Sequence, residues 1–182
     1  MKVSNTHELT LKSSVMTIGA FDGLHRGHQA LIRNAVKRAN ELGVPSVVYT
    51  FDPPPRVFFQ KKQLLMTVDE KVELLKQYGV DYVVIASFNK VYANRTPLQF
   101  LKEIKQYNPL EIIVGSNFTF GKDKQGDIHL LVKHYDVIVH PAIVCEAGKV
   151  ISSTRIRELL KQSKFEKAES LLGRTRLNLI NL

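Results

Sequence analysis

The stretch TIGAFDGLHRGHQALI (17–32) decides the fold. It passes from a short β-rich segment through a turn carrying Gly19 and Gly23 into the start of an amphipathic helix. Strand, tight turn and helix in that order open a parallel crossover unit, and in open α/β sheets ligands bind at such turns, outside the carboxyl ends of the strands. The helix begins near Arg26, and Leu31, Ile32, Ala35, Val36 and Ala39 lie along one of its faces before Gly43 supplies a stop.

Further along the chain the pattern repeats. Residues 46–51, 82–87, 111–115 and 137–140 read as strands and, with 15–19, make about five. Between them, residues 69–78 read as a helix with Val72, Leu75 and Tyr78 on one side and Gly79 at its end. Residues 98–107 follow Pro97 as another, expected to bury Leu98, Leu101 and Ile104. Two helices, 153–161 and 165–172, complete the reading, the second closed by Gly173. The expectation is an α/β fold: an open parallel sheet with right-handed crossovers, helices on both faces and a helical C-terminal end. A single domain over 1–182 fits the 44% apolar and 24% charged composition, which supports a sizeable core.

Composition excludes several classes. Apolar runs such as 83–86 fall far short of the roughly 20 residues a membrane-spanning helix needs. The N-terminus, MKVSNTHELTLKSSV, is polar and lacks the apolar segment of a signal peptide. Cys145 stands alone, forms no internal disulfide and reads as structural, so a reducing, cytoplasmic setting is expected. The 26 basic and 17 acidic residues give a net charge of +9, which attracts polyanions, nucleotides bearing several phosphates among them. Nucleic acid is not the expected partner, because the chain has no long Lys/Arg run and no aromatic–basic repeat. The oligomeric state has no signature in the sequence.

Two constellations carry chemistry. In the first, His25 and His28 leave one face of the opening helical turn, and Gly27 between them leaves room for a phosphate beside the helix N-terminus. Two imidazoles there can donate hydrogen bonds to phosphate oxygens and stabilise charge on a leaving pyrophosphate; two surface histidines near a helix start have the same spacing. Asp22 either assists a metal or shapes the turn. Two histidines without a third ligand make a poor zinc site, and no metal-ligating set is assigned. In the second, ISSTRIRELL (151–160), Ser152, Ser153 and Thr154 precede an apolar helical run, and Ser153 or Thr154 is the expected N-cap. A cap leaves Arg155 and Arg157 unexplained, since the helix dipole opposes cations in a first turn. An anion held between the hydroxyls and the guanidinium groups accounts for both.

Taken in order, G-x-F-D-G-x-H-x-G-H, TFDPPP (50–55), VGSNFTFGKDKQGD (114–127), ISSTRIRELL and LLGR (171–174) resemble the prokaryotic FAD synthetases. MTVDEKVELLKQYGVDYVV (66–84) belongs to the same resemblance, which runs from about Val15 to Arg174. It implies a Rossmann-like HxGH nucleotidyltransferase fold and transfer of AMP from ATP to FMN, assisted by Mg²⁺, giving FAD and pyrophosphate by in-line displacement. By that resemblance His25, His28, Asn117, Ser153, Thr154 and Arg157 are catalytic. Gly19, Ala20, Phe21, Asp22, Gly27, Gly115, Ser152 and Arg155 bind ATP, and Phe51, Asp52, Pro53, Asn117 and Phe118 bind flavin. One departure is plain: the family usually has histidine where this chain has Pro54, and proline removes an imidazole and a backbone donor. Altered flavin affinity, a flavin-binding regulator without turnover, and a harmless change at a packing position all remain open, as does a different phosphorylated acceptor. The riboflavin kinase barrel that follows in bifunctional members is not expected, because the chain ends at Leu182.

Overall fold

The computed structural model describes residues 1–175; the last seven residues of the expected 1–182 domain lie outside the described residues. Strand β1 (Lys2–Asn5) is followed by β2 (Ser14–Ile18), α1 (Arg26–Leu42), β3 (Ser46–Asp52), α2 (Pro55–Gln60), α3 (Val68–Gln77) and β4 (Tyr82–Ser87). Next come α4 (Lys90–Ala93), α5 (Pro97–Ile104), a 3₁₀ turn (Lys105–Tyr107) and β5 (Pro109–Gly115). A two-stranded hairpin of β6 (Thr119–Phe120) and β7 (Gly126–Asp127) leads into α6 (Ile128–Leu131), β8 (Val137–His140), α7 (Ser153–Lys161) and α8 (Phe165–Leu172).

Every pairing in the main sheet is parallel, and the order is β1-β4-β3-β2-β5-β8. The sheet has six strands where about five were expected. The extra one, β1, is an exposed edge strand of sequence KVSN whose register is set by β4, with Val3 opposite Val83. No apolar alternation marks it, so only the partner strand makes it a strand. The short helices α2, α4 and α6 and the hairpin are likewise unannounced by periodicity, being too short to show one.

Successive strand residues go to opposite faces, which is why both faces hold a core. Val15, Val48, Val83 and Ile113 pack against Ile32, Ala35 and Ala39 of α1 and Leu75 of α3. Met16, Tyr49, Val84 and Ile112 pack against Phe100, Leu101 and Ile104 of α5 and Leu131 of α6. Leu98, expected in the core, is 64% exposed, because α5 turns Phe100 inward in its place. A third cluster joins Ile156 and Leu160 of α7, Ala168, Leu171 and Leu172 of α8 and Leu65. It fastens the C-terminal helices beside the turn over 19–24.

Candidate active site

The site is built on that turn. β2 lies between β3 and β5, so the strand order reverses beside it, and in open parallel sheets the carboxyl ends of strands at such a switch point, here β2 and β5, are where ligands bind. Phe21 and Leu24 hold positive φ of 47° and 38°, a conformation costly for residues with a Cβ. Gly23 has φ +79°, and a Cβ there would meet Leu65 at 3.0 Å, so both backbone and space call for glycine. The turn is pinned from several sides. Arg174 donates to the Leu24 and Gly23 carbonyls at 3.1 and 2.8 Å. Gln29 Nε2 bridges the Leu24 and Leu172 carbonyls at 2.9 and 2.6 Å, and Ser153 Oγ donates to the Asp22 carbonyl at 2.8 Å.

His25 is the N-cap of α1: its Nδ1 accepts from the His28 N–H at 3.3 Å. An accepting Nδ1 carries no proton, so the neutral ring keeps its N–H on Nε2 as a donor. The His25 and His28 rings stack with centroids 3.6 Å apart, and Phe21 meets His28 edge-on at 5.4 Å. A Cβ on Gly27 would lie 3.2 Å from the His25 ring, so the smallest residue lets the pair sit against the helix. Burial pushes His25 down to about 4, helped by the Arg174 charge. Burial, then the neighbouring His25 and Lys71 charges, hold His28 well below its ordinary value, and its Nδ1 is sealed from solvent without a partner. Both rings are therefore neutral at pH 7, as the helix dipole also demands.

The second constellation meets the first. α7 starts at Ser152, whose Oγ accepts from the Arg155 N–H at 3.3 Å; the cap is Ser152, not Ser153 or Thr154. The extended backbone at Ser152 frees Ser153 to reach the turn. Thr154 Oγ1 accepts from Arg56 of α2 at 2.9 Å. Arg157, expected to face phosphates, is buried instead: it pairs with the Asp22 carboxylate and its Nε donates to the Gln63 carbonyl at 2.8 Å. Burial raises the Asp22 carboxyl; Arg157, the Leu65 N–H and Lys71 oppose that rise. Arg155 donates to the Lys149 carbonyl and to Cys145 Sγ, which draws that thiol down to about 7.

Around the rim, Gly115 ends β5 and Asn117 is exposed just beyond it, with its Oδ1 turned back toward Gly115. Phe118 stacks on Phe120 at 5.6 Å, and it packs against the same α5-side core as Phe51. Asp52 is exposed and Pro53 half-buried at the carboxyl end of β3. Phe51 belongs to a ring group with Phe88 and Tyr92, centroids 5.9 Å away in each case, and Phe58 and Phe59 join through Phe88. Pro54 is buried at the start of α2, its carbonyl accepting from Val57 and Phe58. Phe51 apart, the members of this aromatic group and Arg56 are absent from the sequence reading, since they converge only after α2 folds over β3 and β4. Lys71 was missed as well, although its spacing with Leu75 and Tyr78 puts it on the buried stripe of α3.

Among the described residues no helix is long and apolar enough to cross a membrane, and no group of three or more His, Cys, Asp or Glu is placed to hold a metal ion. The Asp22 carboxylate, the acidic group nearest the turn, is committed to Arg157 and the Leu65 N–H.

Comparison with known proteins gives a consistent result. A sequence model of the family described as FAD synthetase matches residues 7–155. A relative from Geobacillus thermodenitrificans is 46% identical over 174 residues, covering 95% of this chain and 97% of that protein. The bifunctional riboflavin kinase/FMN adenylyltransferase of Escherichia coli is 34% identical over 181 residues, and the match takes in 94% of this chain but 58% of that protein. A solved structure described as a macrolide-efflux protein from Streptococcus pneumoniae is similar with a TM-score of 0.83 and 32% identity, covering 94% of this chain and 61% of that one.

Proposed function

The chain belongs to the FAD synthetase family, and from that premise we propose that it transfers AMP from ATP to FMN, releasing pyrophosphate and forming FAD. The observation that carries the reading is the stacked, neutral His25–His28 pair at the N-terminus of α1, set at the switch point of the sheet on a turn that α7 bonds through Ser153.

The FMN phosphate attacks the α-phosphorus of ATP, and the bond to the pyrophosphate oxygen breaks in line. Charge grows on the leaving pyrophosphate, so preorganised donors there lower the barrier without covalent chemistry. His25 contributes its Nε2–H, and His28 acts beside it in the stacked pair. The N–H groups of the first turn of α1 and the positive end of its dipole favour the same anion. Gly19, Ala20, Phe21 and Gly27 allow the nucleotide close approach, and Asn117 borders the reacting phosphates from the end of β5. In this reading Ser152, Ser153, Thr154 and Arg155 act on the phosphates from the start of α7, while Arg157 and Asp22 hold α7 to the turn from behind. Phe51, Asp52 and Pro53 lie on the flavin side, where the exposed Phe59 and half-buried Phe58, backed by the buried Phe88, offer an aromatic surface suited to an isoalloxazine ring. Phe118 supports that side from the core. Pro54 begins α2 without an imidazole, and the segment closes regardless.

Mg²⁺ enters this scheme with the phosphates of ATP, as part of the substrate, since the ion usually relies on nucleotide oxygens and water. The proposal carries with it a single nucleotidyltransferase domain in a reducing, cytoplasmic setting, consistent with one cysteine in the sequence.

The test is incubation of the chain with FMN, ATP and Mg²⁺, with chromatography for FAD and pyrophosphate. FAD formation is expected. Turnover of ATP only with another phosphorylated acceptor would replace FMN in the proposal, and FMN binding without turnover would make the chain a flavin-binding regulator.

A further inference from the structure

Lys71 is 2% exposed, on the inner face of α3, beneath the turn that carries the site. Its Nζ donates to the Ala20 carbonyl at 2.9 Å and to Thr50 Oγ1 at 3.1 Å, and Thr50 Oγ1 itself donates to the same carbonyl at 3.2 Å. The ammonium thus lies directly behind the residue that precedes Phe21, whose ring edge supports His28. The charged and titratable groups acting on it are Asp22 from the turn, Asp52 from β3 and His28 from α1. Capping of α3 does not involve it, because Thr67 and Glu70 form the capping box there.

A structural explanation for this lysine fails on its own terms. The Ala20 carbonyl and the Thr50 hydroxyl already satisfy one another, so an apolar side chain would orphan neither. The ammonium is instead a burden on the fold. Burial draws it down to about 8, with Asp22 and Asp52 only partly opposing. A base whose folded value lies below its unfolded one binds fewer protons when folded, so folding is penalised below about 8 and stability rises with pH from there to the unfolded value. A buried charge kept at such a cost, one residue behind a ligand-bearing turn, marks function.

We infer that Lys71 is a positioning residue of the transfer site: its ammonium, bonded to the Ala20 carbonyl and Thr50 Oγ1, fixes the Ala20–Phe21 backbone and so the Phe21 ring against which His28 rests. It touches no substrate and acts through Phe21 and His28. The inference rests on the FMN adenylyltransferase reading for its kinetic part only.

The experiment compares the full chain with Lys71→Met, which keeps the length and volume of the side chain and removes the charge. Lys71→Met is expected to melt at or above the wild-type temperature. Its kcat for FAD formation should fall about tenfold or more, with KM for ATP and FMN little changed. The wild type should lose rate as pH rises through about 8, and the variant should lack that limb. A variant with wild-type kcat, or one whose lost activity comes with a lower melting temperature, overturns the inference in favour of no role or a structural one. Histidine ring NMR is independent of turnover: the His28 ring signals should shift in Lys71→Met, where the Phe21 ring is no longer held. If the wild type makes no FAD, the transferase reading fails and these signals alone decide, an unchanged His28 overturning the positioning role.

Discussion

Arg157 separates two accounts of the helical C-terminal end. From the sequence it clamps substrate phosphates; in the structure it is 7% exposed and paired with Asp22, itself 5% exposed. Arg157→Leu would leave the Asp22 carboxylate buried, with the Leu65 N–H as its remaining hydrogen-bond donor. Breaking a buried pair from one side costs about 3–5 kcal/mol, a loss of stability that a chain of this size shows as roughly 6–20 °C in melting temperature. The loss should also depend on pH. Burial already raises the Asp22 carboxyl, and without Arg157 it rises further, so the folded state binds a proton that the unfolded state has released. Stability then falls as pH rises above the unfolded carboxyl value, and acidification restores part of it. Adding Asp22→Asn removes the charge and should recover most of the loss, a coupling that a double-mutant cycle measures. The assay is thermal melting by circular dichroism across pH 5–8, with FAD formation measured in parallel. If Arg157→Leu melts within about 2 °C of the wild type and loses only turnover, Arg157 is a phosphate ligand and the structural assignment is wrong.

His28→Ala should lower turnover by roughly 10²-fold with the melting temperature little changed, because it removes a group acting on developing charge; near-wild-type kinetics in a folded variant would refute its placement. His25 titrates at about 4 when folded and near the ordinary histidine value when unfolded, so stability should decline as pH falls through that interval. The decline attributable to His25 is about 3 kcal/mol, and His25→Asn, which keeps a capping side chain, should flatten it in melts recorded from pH 7 to 4. Gly23→Ala, with φ at +79° and Leu65 at 3.0 Å from the new methyl, should cost about 1–3 kcal/mol and reduce turnover, read by melting and FAD formation.

The sequence by itself determined the parallel α/β plan, because strand and helix periods are local properties of the chain. It located α1 to within its caps, and it named the two segments of the candidate site, since Gly23, His25, Gly27 and His28 lie close together in one stretch of sequence and Ser152 to Arg157 in another. Tertiary structure decided which of those side chains face the crevice. Arg157 turns inward because Asp22, 135 positions away, lies within reach of its guanidinium. Ser153 bonds the turn because Ser152 takes the cap. The edge strand β1 exists only beside β4, and the Phe51–Phe88–Tyr92 ring group only once the carboxyl ends of β3 and β4 come together. Lys71 was legible as a position on a buried stripe but not as a charge beneath Ala20. Spacing along a helix fixes which face a residue occupies, whereas its partner across the fold depends on loops and crossovers that carry no period at all.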